Sequence, residues 1–272
     1  MRSINIAVAM LTLAASATAV TAQERVARTP SATGQAAATD VSQGQAAVDR
    51  AAAAGKYAFI FFWKEKGQQT DKVWNVFQPA TAALADSAEV VSIRVNDPAE
   101  KQIVSRYDVS RSPMPLVLAV APCGAITKAF TKAFDENQLR TAFVSPCTVE
   151  CMKALQDRKL VLLCVEHLPP QVKQVSLQKG VQDFTADQQY AKNSAVVVLN
   201  AADPAEAAFL KDLRVDPKTT DRVTVLMSPP GAVVGTFVGD VTQAQLVAKL
   251  KSAQSGCCPG GKCGPGGCGP KK

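Results

Sequence analysis

The sequence predicts an α/β fold used twice in tandem, each copy a central mixed sheet flanked by helices, followed by a disordered Cys/Gly/Pro-rich tail. Three observations predict it. An unbroken apolar and aromatic run, Tyr57 to Trp63, reads as a strand buried on both faces. A polar loop, Lys64 to Gln69, carries it into a helical pattern with Val73, Trp74 and Phe77. The punctuation then recurs. Asp97-Pro-Ala-Glu100 returns as Asp203-Pro-Ala-Glu206, Pro122-Cys-Gly-Ala125 as Pro229-Pro-Gly-Ala232, and Gln138-Leu139 as Gln245-Leu246, at offsets of 106, 107 and 107 residues. Three recurrences at nearly one spacing indicate a duplicated domain.

Taken in order, Met1 to Ala22 has the form of an export signal. Arg2 is a positive n-region, Ile4 to Val20 an apolar stretch, and Val20-Thr21-Ala22 a small-residue cleavage site, with Ala17-Thr18-Ala19 as a second candidate. The stretch is short and alanine-rich for a membrane span, so no integral membrane segment is expected after its removal. Residues 23–39 are rich in Ala, Thr, Ser and Gln without periodicity and read as a linker. The first domain is expected at 40–144. Asp40 starts a helix through Ala47, Val48 and Ala51, stopped by Gly55. After the Tyr57 strand, Val73 to Phe77 continues into a second helical piece beyond Pro79. Glu89 to Val95 alternates as a strand does. Asp97, Pro98 and Glu100 form a capping-box start for a helix with Ile103, Val104 and Tyr107. Two strands, Leu116 to Val120 and Ala125 to Phe130, flank the Pro122-Cys-Gly124 turn, and a helix from Glu136 to Phe143 closes the unit. The second domain, 145–253, repeats the strands at Lys159 to Val165, Ser194 to Leu199, Val223 to Met227 and Ala232 to Val238. Its segment Gln171 to Lys192 reads as loop. The tail is 254–272.

This element order resembles the thioredoxin fold. Aligned without gaps, Phe62-Trp63-Lys64-Glu65 falls on the Phe-Trp-x-Glu that precedes the family's redox motif, which places Gly67-Gln68-Gln69-Thr70 on the Cys-x-x-Cys positions. Both thiols are missing, and the family's buried proton-relay carboxylate falls on Phe61. In that family the first thiolate is the nucleophile and the second thiol resolves the mixed disulfide. The resemblance therefore implies the fold without thiol–disulfide exchange at this site. The residue-level reading of Thr70 is the N-cap of the following helix. The family's cis-proline falls on Pro115 when counted back from Gly124, or on Pro113 when counted from Tyr107. A retained peptide site would be lined by Trp63, Lys64, Lys66, Gly67, Met114 and Pro115. Repeat two runs instead into Glu166-His-Leu-Pro-Pro170, with Arg222 where repeat one has Pro115.

The eight cysteines suit an oxidising compartment: periplasm, cell envelope or exterior. Ser145 as N-cap and Pro146 at the first helical position put Cys147 in a first turn, where the helix dipole lowers a thiol's pKa, with Cys151 on the same face. Such a pair could ligate a soft metal, form a reducible disulfide, or pack between the domains. The tail thiols Cys257, Cys258, Cys263 and Cys268 admit disulfide cross-linking or binding of Cu or Zn, although their spacing matches no standard zinc module. Cys123 sits at a hairpin tip as a single exposed thiol, Cys164 in a strand as a small core residue, and His167 on a loop without ligand partners.

A formal charge of +7 without a Lys/Arg cluster interleaved with aromatics excludes a nucleic-acid surface. No Ser-His-Asp order, phosphate loop or paired-carboxylate motif points to an enzyme. Two functions follow. One is an exported, non-catalytic binding or scaffold protein whose partner is an extracytoplasmic protein or peptide. The other is a thiol-redox or soft-metal transfer protein working through Cys147, Cys151 and the tail.

Overall fold

The computed structural model describes residues 42–131, 134–167 and 176–255, all within one compact unit that begins at Asp40. It contains two four-stranded mixed sheets, one per repeat. The first half runs α1 (Gln43–Ala53), β1 (Tyr57–Trp63), α2 (Gln68–Ala82), β2 (Ala88–Arg94), α3 (Lys101–Arg106), β3 (Leu116–Val120), β4 (Ile126–Phe130) and α4 (Glu136–Arg140). The second runs α5 (Pro146–Gln156), β5 (Leu160–Glu166), α6 (Lys179–Ala186), β6 (Ser194–Asn200), α7 (Ala207–Asp212), β7 (Val223–Ser228), β8 (Ala232–Val238) and α8 (Gln243–Ser255). The strand orders are β2-β1-β3-β4 and β6-β5-β7-β8. In each sheet the first two strands are parallel and the remaining pairs antiparallel. This is the thioredoxin-like arrangement, present twice.

The central strands dictate the layering. Residues Ala58 to Phe62 of β1 are all buried, so apolar side chains leave both faces of the sheet and both must be covered. Phe59 and Phe61 pack with Phe77, Phe130, Phe134 and Leu139 under α2 and α4, while Ile60 and Phe62 pack with Val48, Ile93 and Ile103 under α1 and α3. On the first face the rings of Phe61 and Trp74 meet edge-on at 5.0 Å, with Phe77 5.4 Å from Phe61. Repeat two copies the scheme with aliphatic residues. Val161, Leu163 and Val165 face one layer, and Leu162 and Cys164 face the layer that holds the stacked Phe184 and Tyr190 rings. Cys164 is thus a core residue.

Several local expectations are corrected. Helix α1 begins at Gln43, with Ser42 as N-cap accepting from the Gln45 amide, rather than at Asp40. Helix α2 is one helix with Pro79 inside it, not two pieces; its apolar stripe, Val73, Phe77 and Ala80, runs through the proline, and core packing outweighs one missing donor. Helix α4 ends at Arg140, before Phe143. The segment expected as loop, 171–192, includes α6, whose Val181 and Phe184 are fully buried; polar residues between them mask the helical spacing. The linker, the leader and the four tail cysteines lie outside the described residues.

The recurring Asp-Pro-Ala-Glu motif has a role beyond a capping box. Asp97 and Asp203 each cap a single 3-10 turn by accepting from the amide two residues on. The motif glutamates turn instead to the first helix of their repeat. Glu100 accepts from Ser42 Oγ at 2.6 Å and from the Gly44 amide at 3.1 Å. Glu206 accepts from Ser145 Oγ at 2.5 Å and from the Cys147 amide at 3.2 Å. Both carboxylates are buried, and each satisfies orphan donors at a helix N-terminus where the dipole favours negative charge. The space beside them differs. A Cβ on Gly44 would lie 2.3 Å from Ile93 Cδ1 and 2.8 Å from Glu100 Oε2, whereas repeat two holds Cys147 at the corresponding position.

Glu206→Ala leaves a helix terminus and a serine hydroxyl without their charged acceptor, and should lower unfolding free energy by about 2–3 kcal/mol in urea titration. Gly44→Ala should cost about 1–3 kcal/mol by overpacking, with no change in far-UV circular dichroism.

Candidate functional site

The β1–α2 connection carries the residues that the sequence singles out. Strand β1 ends at Trp63, and helix α2 starts at Gln68 with Gly67 as its N-cap residue. Thr70 is therefore the third residue of the helix and not its N-cap. Its hydroxyl donates back to the Glu65 carbonyl at 2.8 Å, closing the loop on itself. Neither Gly67 nor Thr70 presents a nucleophile.

Two shallow cavities flank this loop. One, of about 390 Å³, is lined by residues 64–70 and Met114, and so brings together Lys64, Lys66, Gly67 and Met114. The other, of about 300 Å³, is lined by Phe61, Trp63, Lys66, Thr70, Asp71, Trp74 and Ser92. Lys66 and Thr70 form the shared wall. Trp63 is held in place by its indole N–H, which donates to Ser92 Oγ at 3.0 Å, and by the Arg94 guanidinium 5.7 Å from its ring centroid. The cis peptide bond is Met114–Pro115, while Pro113 follows a trans bond. Pro115 is buried and lines neither cavity; Met114, half-buried, is the residue that reaches the loop.

Sequence reasoning missed Phe61 and Trp74 as cavity walls. Their signal was the helical spacing Val73, Trp74, Phe77, which points Trp74 toward the face of the sheet that carries Phe61. Both tryptophans of the protein consequently line the same cavity.

The corresponding place in repeat two is built differently. Glu166, the last residue of β5, is buried and faces the guanidinium of Arg222 at 3.6 Å. Arg222 immediately precedes β7, as Pro115 precedes β3, so an ion pair occupies the mouth that stays open in repeat one. A second cis bond, Pro229–Pro230, lies elsewhere, in the β7–β8 turn.

The helix-dipole argument for an activated Cys147 is overturned. Ser145 is indeed the N-cap and Pro146 the first helical residue. The Cys147 thiol, however, is half-buried, donates to the Val198 carbonyl at 3.4 Å and sits beside the Glu206 carboxylate. Burial first, and that negative charge second, push its pKa up to about 12. Cys151, 2% exposed in the core of repeat two, is pushed up to about 12 by burial and by Glu150 and Glu206. Cys164 is raised to about 11, chiefly by burial. All three are free thiols, and Cys123 is free and exposed at its hairpin tip. Among the described residues no group of three or more His, Cys, Asp or Glu could hold a metal ion, and no helix is long and apolar enough to cross a membrane.

No family model and no curated protein matches the chain. Solved structures do. Human ERp44 in its zinc-bound form aligns over 80% of this chain and 61% of its own, at 10% identity and a TM-score of 0.34. The first two thioredoxin domains of Naumovozyma dairenensis Eps1p align over 73% of this chain and 90% of theirs, at 10% identity and a TM-score of 0.27. Thioredoxin O2 from Arabidopsis thaliana, in its oxidized state, covers 36% of this chain and 80% of its own, at 11% identity and a TM-score of 0.29.

Alkylation at pH 8 followed by peptide mapping should label Cys123 in the native protein and reach Cys147, Cys151 and Cys164 only after denaturation. The same shifts set a pH dependence. Folding favours the protonated thiols, so their contribution is intact below about pH 8.5, the ordinary thiol value. It is lost as the pH rises toward about 12. Urea midpoints should therefore fall across that alkaline interval, and less steeply in Cys151→Ala than in the parent after correction to equal stability at pH 7.

Proposed function

We propose that the protein is an exported, non-catalytic binding module that receives an extended peptide segment at the β1–α2 loop of its first thioredoxin-like domain. The observation that carries this reading is the loop itself. Where the fold ordinarily presents a dithiol, this chain has Gly67 and a Thr70 hydroxyl already donated to Glu65, beside two cavities with aromatic and lysine walls. A site with pre-formed concavity and no nucleophile suits binding rather than chemistry. The raised pKa values of Cys147 and Cys151 support the same conclusion, because thiol exchange needs a thiolate. Export rests on the leader-like pattern of residues 1–22, and the Cys-rich tail supplies cross-linking or attachment to an envelope partner.

Repeat two serves as support in this reading, its corresponding mouth closed by Glu166 and Arg222. Lys64 and Lys66 are matched in the same walls by Glu65 and Asp71, so charge sets little preference and the aromatic wall favours peptides that carry an apolar residue.

Unstructured peptides with and without an apolar residue, titrated against the mature protein, should shift tryptophan emission for the apolar members, since both tryptophans line the site. Trp63→Ala should weaken binding about tenfold or more by calorimetry, as removal of an aromatic anchor does. Insulin reduction should stay at background in the parent. Turnover that disappears in Cys147→Ser would sink the binding-module reading in favour of thiol exchange.

A further inference from the structure

A cavity of about 620 Å³ lies away from the loop site, between the two repeats. Its first wall comes from the end of α3 and the β3–β4 turn: Arg106, Tyr107, Asp108, Gly124 and Ile126. The facing wall comes from the end of α5 and the β7–β8 turn. The two walls are tied together by Gln156, whose side-chain amide accepts from the Ile126 N–H at 2.9 Å and donates to its carbonyl at 2.7 Å, completing the edge of β4. The cleft is therefore a built feature of the repeat interface.

Its charges are unevenly matched. Lys153 is neutralised on its own helix by Asp157. Arg106 donates to Gln45 Oε1 at 3.3 Å and lies 5.5 Å over the Tyr107 ring, with no carboxylate partner among the described residues. Arg158 has no side-chain partner among the described residues. Its backbone is left-handed, at φ +62°, just after α5; the equivalent residue after α1 is Gly55, at φ +66°. A left-handed arginine is disfavoured where glycine is free, so replacing Arg158 by glycine removes a backbone cost together with the guanidinium; Asp108 and Arg214 are left-handed as well, at φ +49° and +57°. Asp108 is the single lining carboxylate without a partner.

We propose that this inter-repeat cleft is a second binding site, distinct from the loop site, that takes a small phosphate- or carboxylate-bearing ligand between Arg158 and Arg106. Guanidinium forks suit both anions, and two of them on facing walls make binding depend on the repeats being docked.

The full-length mature protein is to be titrated with inorganic phosphate, with succinate and with glycinamide as a cationic control, by calorimetry and by thermal unfolding. Phosphate or succinate should bind and raise Tm, and glycinamide should do neither. Arg158→Gly makes the test specific because it relieves the left-handed backbone. Its Tm without ligand should rise, while anion affinity falls at least about tenfold, the loss expected for one charge-assisted contact. Arg106→Gln should weaken anion binding as well. Asp108→Asn, which removes the opposing charge, should tighten it. Absence of anion binding at millimolar concentration, affinity unchanged in Arg158→Gly, or weaker anion binding in Asp108→Asn would each overturn the assignment. Tryptophan emission reports the loop site separately, so failure here leaves the peptide reading standing.

Discussion

Burial of one strand on both faces governs the architecture. Once β1 carries Phe59 and Phe61 to one side and Ile60 and Phe62 to the other, it cannot lie at an edge, and neither face can be left to water. A parallel neighbour, β2, is then reached through a crossover helix, and an antiparallel neighbour, β3, closes the other flank. Helices on both sides supply the cover. The same constraint acts on β5, with aliphatic side chains in place of rings. Because the loop that follows each central strand must emerge at the same end of the sheet, the constraint also fixes where a binding site can lie.

The buried glutamates show how a motif can be legible while its purpose is not. Asp-Pro-Ala-Glu reads locally as a helix start, and its aspartate does cap a turn. The glutamate acts across the fold, on a helix more than fifty residues earlier, because a carboxylate lodged beside a helix N-terminus and a serine hydroxyl is better satisfied than one facing solvent. Its recurrence in both repeats was the sequence-level hint that it did more than cap. The arrangement also explains the failure of the activated-thiol argument. The helix terminus that would have stabilised a Cys147 thiolate is already occupied by Glu206, so the local field at the sulfur is negative.

Strand positions and the tandem repeat were readable because they follow from apolar runs and repeated punctuation. Helix α6 was not, since Val181 and Phe184 are separated by glutamine and aspartate and only tertiary packing reveals their shared face. Pro79 misled for the related reason that an intrinsic breaker is overridden by a continuous core stripe. At the candidate site, the loop residues followed from alignment to the strand end. The aromatic wall formed by Phe61 and Trp74 depends on how a helix lies across a sheet, and the Glu166–Arg222 pair joins residues far apart in sequence. The helical spacing of Val73, Trp74 and Phe77 hints at the first relation; the second leaves no local trace.

Comparison of the two repeats with each other separates what the fold requires from what one copy has acquired. Shared backbone features, such as the bulges between Ala119 and Val120 and between Leu226 and Met227, belong to the fold. Differences at equivalent positions have a direction. Ala53 becomes Gln156, Gly55 becomes Arg158, and Pro115 becomes Arg222, each time a small or apolar residue giving way to a longer polar one. Gln156 reaches the neighbouring sheet, Arg158 the cleft, and Arg222 a carboxylate of its own domain. The first two lie where the second copy meets the first, a surface that exists only after duplication. The third closes a mouth that the first copy leaves open. Repeat two thus has an ion pair at its strand end and side chains that reach its neighbour, and the strand-end concavity without such a pair is the one beside Trp63.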